Sequence, residues 1–341
     1  MSDPLVSIII PLFNRAKLIT ETIDSLIKQT YDNWEAVIVD DGSTDGSIEI
    51  VSKISFKDNR VRLLKRNRLP KGAPTCRNMG VQNARGNFII FLDSDDLLTP
   101  TAIEKRVNIC KNYPDLDFVV FQGAFFIDSI SNGLKRISKF NTTQRSEISF
   151  FLNFDAPWVI FMPIWKRESL IKHQMEWDEQ VLIYQDIQFH VEALIKGMRY
   201  ILVNQPPDSY WRRHDQGNIG KDVFKPDLFY SQIYLFSKFK QMLTEKGLFG
   251  TYERQAVKRL AKKLLFRYFF KRKFAEAFYI LRQFRERDLL TNQQLRFLTI
   301  MVETLQFLES KGKVLGRTFY FIIYYSYFKS AIHYKKKLFM V

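Results

Sequence analysis

Val6-Ser-Ile-Ile-Ile-Pro-Leu-Phe-Asn-Arg15 is the stretch from which the fold can be read. Its β-branched run lacks polar alternation, which suits a strand buried on both faces of a parallel sheet, and Pro11 is expected to end it. Apolar residues at helical spacing follow from Lys17 to Gln29. A second strand, Glu35–Val39, stops at Asp40-Asp-Gly-Ser-Thr-Asp45, and a helix then carries Ile48, Val51 and Ile54. A third strand spans Val61–Leu64, another helix starts near Ala73, and Asn87-Phe-Ile-Ile-Phe-Leu92 is a fourth strand that runs into Asp93-Ser-Asp-Asp96. Strands alternating with helices predict an α/β domain with a mostly parallel sheet and helices on both faces. Its ligand should lie beyond the carboxyl ends of the strands, where these polar clusters fall.

Further on the pattern loosens. Phe118–Phe121, Trp158–Ile164 and Tyr200–Val203 read as strands and Gln185–Leu194 as a helix, while the chain after Gly220 reads as basic, aromatic helices. Charge places a boundary there. Residues 1–220 hold 27 Lys and Arg against 27 Asp and Glu, whereas residues 221–341 hold 25 against 9, so the net +16 belongs to the last third. The expected organisation is a catalytic domain over 1–220, with halves 1–115 and 116–220, and a C-terminal α-helical extension over 221–341. Two cysteines, Cys76 and Cys110, do not make a disulfide framework. The opening residues lack a secretory pattern, and no apolar run reaches the ~20 residues that span a bilayer. Phe319–Phe328 is too short and rich in tyrosine. A cytoplasmic protein is expected, with any membrane contact peripheral.

Asp93-Ser94-Asp95, at the end of an apolar strand, is the sharpest chemical signal. Alternate residues of an extended segment point the same way, so two carboxylates can meet one hard cation such as Mg²⁺ or Mn²⁺ while phosphate oxygens complete its shell. A solvated turn would explain the same residues. Asp40–Asp45 could equally be a turn and helix cap, and Arg77-Asn78 a surface ion pair.

Taken in order, Val6–Asn14, Asp40–Asp45, Arg77-Asn78-Met-Gly80, Asp93–Asp96 and Gln185-Asp186 resemble the inverting glycosyltransferases of family 2, with the GT-A fold, of the bacterial surface-polysaccharide type. The resemblance spans roughly residues 5–215. It implies a hexosyl- or N-acetylhexosaminyl-transferase that uses a nucleotide diphosphate sugar, UDP-linked, and a glycan or lipid-linked acceptor. Asp40 would accept a hydrogen bond from the base. Pro11, Phe13 and Asn14 would line base and ribose, Arg77 would contact base or phosphate, and Asp93 with Ser94 would meet the ribose or a metal-bound water. Asp95 would hold the cation, and Asp186 would be the base that takes the acceptor proton. Many relatives have Glu-Asp where this chain has Gln185-Asp186. A helix N-terminus is expected to keep Asp186 ionised.

Tyr210-Trp-Arg-Arg-His214 matches a segment that in the family often forms a loop over the diphosphate. His214 would be a metal or phosphate ligand there, with Arg212 or Arg213 countering phosphate charge. Basic residues beside aromatics in 221–341 suit an anionic membrane surface, or simply the solvated face of a helical bundle. Five ordered motifs leave no place for a nucleic-acid partner. The competing reading is a scaffold that binds sugar nucleotides without catalysis.

Overall fold

The computed structural model describes residues 3–127, 130, 135–136, 147–153, 156–213, 226–270 and 273–311. The first half follows the expected alternation: β1 (Val6–Leu12), α1 (Ile19–Ile27), β2 (Trp34–Asp40), α2 (Ser47–Lys57), β3 (Val61–Lys65), α3 (Ala73–Asn83) and β4 (Phe88–Phe91). Next come β5 (Leu97–Leu98), α4 (Ala102–Asn112), β6 (Phe118–Val120), β7 (Gly123–Ile127), β8 (Lys135–Arg136), α5 (Glu147–Leu152), β9 (Pro163–Lys166), α6 (Arg167–Lys172), α7 (Gln185–Ile195), β10 (Tyr200–Leu202) and β11 (Ser209–Arg213). Four helices follow: α8 (Pro226–Glu245), α9 (Thr251–Phe270), α10 (Phe274–Glu286) and α11 (Asn292–Lys311).

Seven strands form one sheet in the order β10-β6-β9-β4-β1-β2-β3. Its pairs are parallel except where β9 runs antiparallel to β4 and β6. β1 and β2 are buried along their whole length, as their mostly apolar runs require, and the buried Ser7 donates to the buried Glu35 across the pair. Pro11 does not end β1, which continues to Leu12. Ile9 accepts from Leu92 on the β4 side and Leu12 accepts from Asp41 on the β2 side. By that alternation the missing N–H of Pro11 faces β4, beyond that strand's last pair, Ile9–Phe91, so it breaks no ladder bond.

A second sheet, β5-β11-β7-β8, escapes a reading by periodicity because two of its strands have only two residues. Only the end of the expected Trp158–Ile164 strand enters β9. Trp158 instead lies buried edge-on to Phe151.

Two contacts seat the elements that reach the strand ends. α3 lies close on β1 at Gly80, where a Cβ would come 2.3 Å from Ile9 Cγ2. Arg106 of α4 is fully buried. It forks onto Asp208 with contacts of 2.8 and 2.6 Å and donates to Phe161 O and Ser209 Oγ, fastening the start of β11.

The chain divides into two compact units, Met1–Phe151 with Asp155–Gln232, and Leu152–Phe154 with Ile233–Val341. The second is helical, with Phe236, Phe239, Ile280, Phe284, Leu298 and Val302 in its core. Among the described residues no helix is long and apolar enough to cross a membrane. Removing one partner of a buried, bidentate ion pair strands the other charge. Arg106→Ala should therefore cost about 3–5 kcal/mol of stability, read as a lower urea midpoint.

Candidate active site

The chain steps outward from β1 to β2 and β3, then returns to place β4 on the other side of β1. Such a reversal opens a crevice at the carboxyl ends of the two inner strands. A cleft of about 760 Å³ lies there. Pro11–Arg15, Asp41, Arg77, Asp93–Asp96, Val159–Phe161, Leu182–Asp186, Trp211 and Arg212 are among its walls. Pro11, Phe13, Asn14, Arg77, Asp93, Ser94, Asp95 and Asp186 are thus brought together as the motifs imply. Asp40 is not on that wall: it is buried, and its carboxylate accepts from the N–H groups of Gly42 and Ser43. Asp41 faces the cleft instead, accepting from Arg66 and from Gly72 N–H. His214 lies outside the described residues.

The Asp40–Asp45 loop buckles the loop after β1 into place. Asn14 adopts a left-handed conformation at φ 51°, donates its N–H to Ser43 Oγ and accepts from Thr44 N–H. Arg15 N–H donates to Ser47 Oγ and Ala16 N–H to Asp45. Burial alone would raise the Asp45 pKa, but hydrogen bonds from Ser47 and Ala16 outweigh it and lower the value. The capping expectation holds in part, since Asp45 also accepts from Ser47 N–H at the start of α2.

Arg77, buried near the start of α3, joins both walls. Its guanidinium donates to Asp93 at 2.7 Å and to the Gln185 side-chain carbonyl at 2.8 Å, and lies 4.6 Å over the Trp177 ring. Asn78 exchanges hydrogen bonds with the Trp177 backbone and donates to Glu179. Arg68 forks onto Glu179 as well. Arg77-Asn78 is therefore a latch on the segment that leads into α7, not a surface pair. Tyr184, in the left-handed region at φ 64°, turns that segment into the helix, a conformation that costs a tyrosine about 1–2 kcal/mol.

Asp186 follows, reaching the cleft while half-buried. Burial raises its pKa against the lowering effects of Ile187 N–H and Arg77, and the Asp93 charge adds to the rise. Burial thus acts against the N–H groups of the first helical turn, and the net direction is upward.

Asp93, Asp95 and Asp96 line the same cleft. Asp95 accepts from Arg15 at 3.1 Å. Asp96 is buried, accepts Arg212 N–H through one oxygen, and has no partner for the other. Burial first, then the Asp95 and Asp93 charges, push its pKa well up. Arg212 reaches Asp95 O and Glu21 and lies over Phe126. Ser209–Arg213 is thus a strand rather than a loop, held by parallel pairing with β7.

Residues 7–172 match the family model described as glycosyl transferase family 2. An uncharacterized glycosyltransferase of Haemophilus influenzae is 31% identical over 246 residues, covering 70% of this chain and 88% of that one. This chain belongs to glycosyltransferase family 2. As a family 2 member it is a glycosyltransferase acting from a nucleotide-sugar donor, built on the GT-A fold. The UDP-Glc:alpha-D-GlcNAc-diphosphoundecaprenol beta-1,3-glucosyltransferase WfgD of Escherichia coli is 42% identical over 109 residues, covering 32% of this chain and 42% of WfgD. The fold is shared with the mannosyltransferase PcManGT of Pyrobaculum calidifontis, solved with GDP-Man and Mn²⁺ (TM-score 0.52, 20% identity, 89% of this chain and 85% of that one).

No group of three metal-ligating side chains occurs among the described residues. A divalent cation with a diphosphate needs only one or two protein carboxylates. Asp95 at the cleft, beside the unpartnered oxygen of Asp96, fits that donor set. Sequence reasoning passed over Asp41, Asp96, Tyr184 and Trp211 as site residues. Asp41 could not be told from Asp40, and the other three become wall residues only through the second sheet and the α3 latch.

A carboxyl whose folded pKa is raised favours folding below its unfolded value, about 3.9 for aspartate, and loses that contribution as pH rises through the folded value. Asp186→Asn should therefore be more stable than the natural protein at neutral pH. The gain should vanish near about pH 4, as followed by urea midpoints across pH.

Proposed function

We propose that this family 2 enzyme transfers a sugar from a UDP-linked donor, with inversion, to a hydroxyl of a glycan or lipid-linked acceptor, aided by Mg²⁺ or Mn²⁺. The observation that carries the reading is Asp186 facing the same cleft as Asp93-Ser94-Asp95, with its proton affinity raised. Inversion requires a base that takes the acceptor proton as the acceptor oxygen attacks the anomeric carbon and the bond to the diphosphate oxygen breaks. A carboxylate of raised pKa is the stronger base. WfgD, named for a UDP-sugar and a diphosphate-lipid acceptor, supports that donor and acceptor. The Mn²⁺ and GDP-Man of the mannosyltransferase support a cation and make GDP the alternative nucleotide.

Pro11, Phe13 and Asn14 would line base and ribose, while Asp40 holds the turn that presents Asp41. Asp95 would hold the cation, with Asp93 and Ser94 toward the ribose or a bound water, and His214 as a further ligand. When bound, the cation neutralises the charge gathering on the leaving diphosphate. Arg15 would have to share Asp95 with it.

Residues 1–220 would carry this chemistry, and residues 221–341, holding the entire charge excess, would dock it on an anionic membrane at the inner face of the cell. Each basic group near such a surface contributes about 1 kcal/mol.

Asp186→Asn should lower kcat by roughly 10²–10⁴ with donor affinity nearly unchanged; near-normal turnover would place the base elsewhere. By calorimetry, Asp95→Ala or EDTA should weaken UDP binding, and affinity insensitive to both would refute the cation assignment. For docking, co-sedimentation of the full chain with anionic vesicles should exceed that with neutral ones and fall with salt. Equal binding to both would leave a helical bundle without a membrane role.

A further inference from the structure

The chain has five tryptophans, and four of them, Trp34, Trp158, Trp165 and Trp177, are at most 2% exposed. Trp211 is 37% exposed and lies on the cleft wall. Burying such a ring in the core would be the ordinary fate of so large an apolar surface. Its position on β11 is nonetheless firmly set. The strand pairs with β7 in register Trp211–Phe125, and the Phe125 ring meets the indole edge-on at 6.4 Å. The preceding pair Tyr210–Leu97 ties the same strand to β5, and Arg212 locks onto the Asp95–Asp96 backbone and carboxylate. The indole is thus rigidly supported, with the Arg213 guanidinium 5.8 Å from its ring centre and about a third of its surface left open to the cleft.

The cleft holds a second exposed aromatic, Phe13, 41% exposed, on the loop after β1 with Lys71 Nζ 3.7 Å over its ring. Phe13 stands with Pro11 and Asn14, where a nucleotide base is proposed to lie. Trp211 comes from the second sheet, and the apolar residues Val159 and Ile160 line the same cleft. The same cleft holds Asp93, Asp95 and Asp186, carboxylates that can accept hydrogen bonds from the hydroxyls of an uncharged polyol.

We infer that Trp211 is the platform on which the acceptor's own sugar ring stacks, so that the acceptor is a glycan or glycolipid whose reacting end is a pyranose. The C–H face of a pyranose is flat and apolar and matches the indole face, while the ring's hydroxyls stay at the polar rim, one of them within reach of Asp186. Aromatic rings give contact area at low conformational cost, which is why they anchor recognition sites. This inference rests on the glycosyl-transfer reading above and narrows its acceptor.

Because the other indoles are buried, acrylamide quenching of tryptophan emission in the full chain reports Trp211, and Trp211→Phe should abolish the accessible fraction. Methyl glycosides of glucose, galactose, mannose and N-acetylglucosamine, added with UDP and Mn²⁺, are the probes. At least one should protect the accessible emission, whereas UDP with Mn²⁺ alone should not. With the protecting glycoside as acceptor, Trp211→Ala should raise its KM by about tenfold, with a smaller change in kcat, and Trp211→Phe should recover most of the loss. Protection by UDP alone would assign the indole to the base and overturn the inference, as would absence of protection by all four glycosides or an unchanged KM. UDP binding measured separately by calorimetry distinguishes these failures from failure of the glycosyl-transfer reading, which would show as no nucleotide binding at all.

Discussion

Arg77 is the residue on which the site's assembly depends. One planar guanidinium, buried against the Trp177 ring, binds the carboxylate at the end of β4 and the amide at the start of α7. These are the two places from which leaving-group chemistry and proton transfer would be run. A lysine could not do this, since only a rigid fork holds two acceptors at fixed angles. Asn78, one residue on, secures the backbone leading into α7. The helix that carries both residues can sit where it does because Gly80 has no side chain to push β1 away. The placement of these two walls of the cleft thus descends from a single helical turn.

The cleft gathers Asp41, Asp93, Asp95, Asp96 and Asp186 on one small surface. Such a concentration of carboxylates opposes folding, and the protein answers it in three ways. Arg15, Arg66 and Arg77 compensate specific charges. Arg212 holds Asp96 by its backbone and turns its side chain toward Glu21. At Asp96 and Asp186 burial first, with the neighbouring carboxylate charges adding to it, raises the proton affinity. Gln185 enters this balance directly. As a neutral acceptor it satisfies Arg77 without adding a further negative charge beside Asp186, so Arg77 keeps more of its field for Asp93 and Asp186. The residue that departs from the common Glu-Asp pair therefore moderates the site's electrostatics without dismantling it.

Much of this was legible in the chain. The apolar runs of β1, β2 and β4 could only be buried strands, and the polar groups that follow each of them had to meet at one end of the sheet. The resemblance supplied Asp186 as a site residue, and the helix beginning at Gln185 was visible from its periodicity. What could not be read was decided by geometry between distant segments. Whether Asp40 or Asp41 faces the cleft depends on the turn at Gly42, where two N–H groups claim Asp40. Two-residue strands carry no periodicity, so β5 and β8 left no trace and the sheet that fixes Trp211 went unseen. The burial of Asp186 was illegible for a related reason: a helix terminus is a local feature, whereas burial is set by the whole surround.

The place of β9 in the large sheet bears on how the protein can be made. Phe118-Val-Val120 pairs with β9 on one side and β10 on the other, and with no strand that precedes it. During synthesis the first four strands can close into a sheet as soon as β4 emerges, but β6 must wait for a partner that begins at Pro163. Through that interval an apolar strand edge stands open, the kind of surface that invites pairing with another chain. Contacts of such long sequence separation also slow the final closure. Biogenesis of this enzyme should therefore have its vulnerable moment midway along the chain, after the first four strands have formed and before the strand that completes the sheet is available.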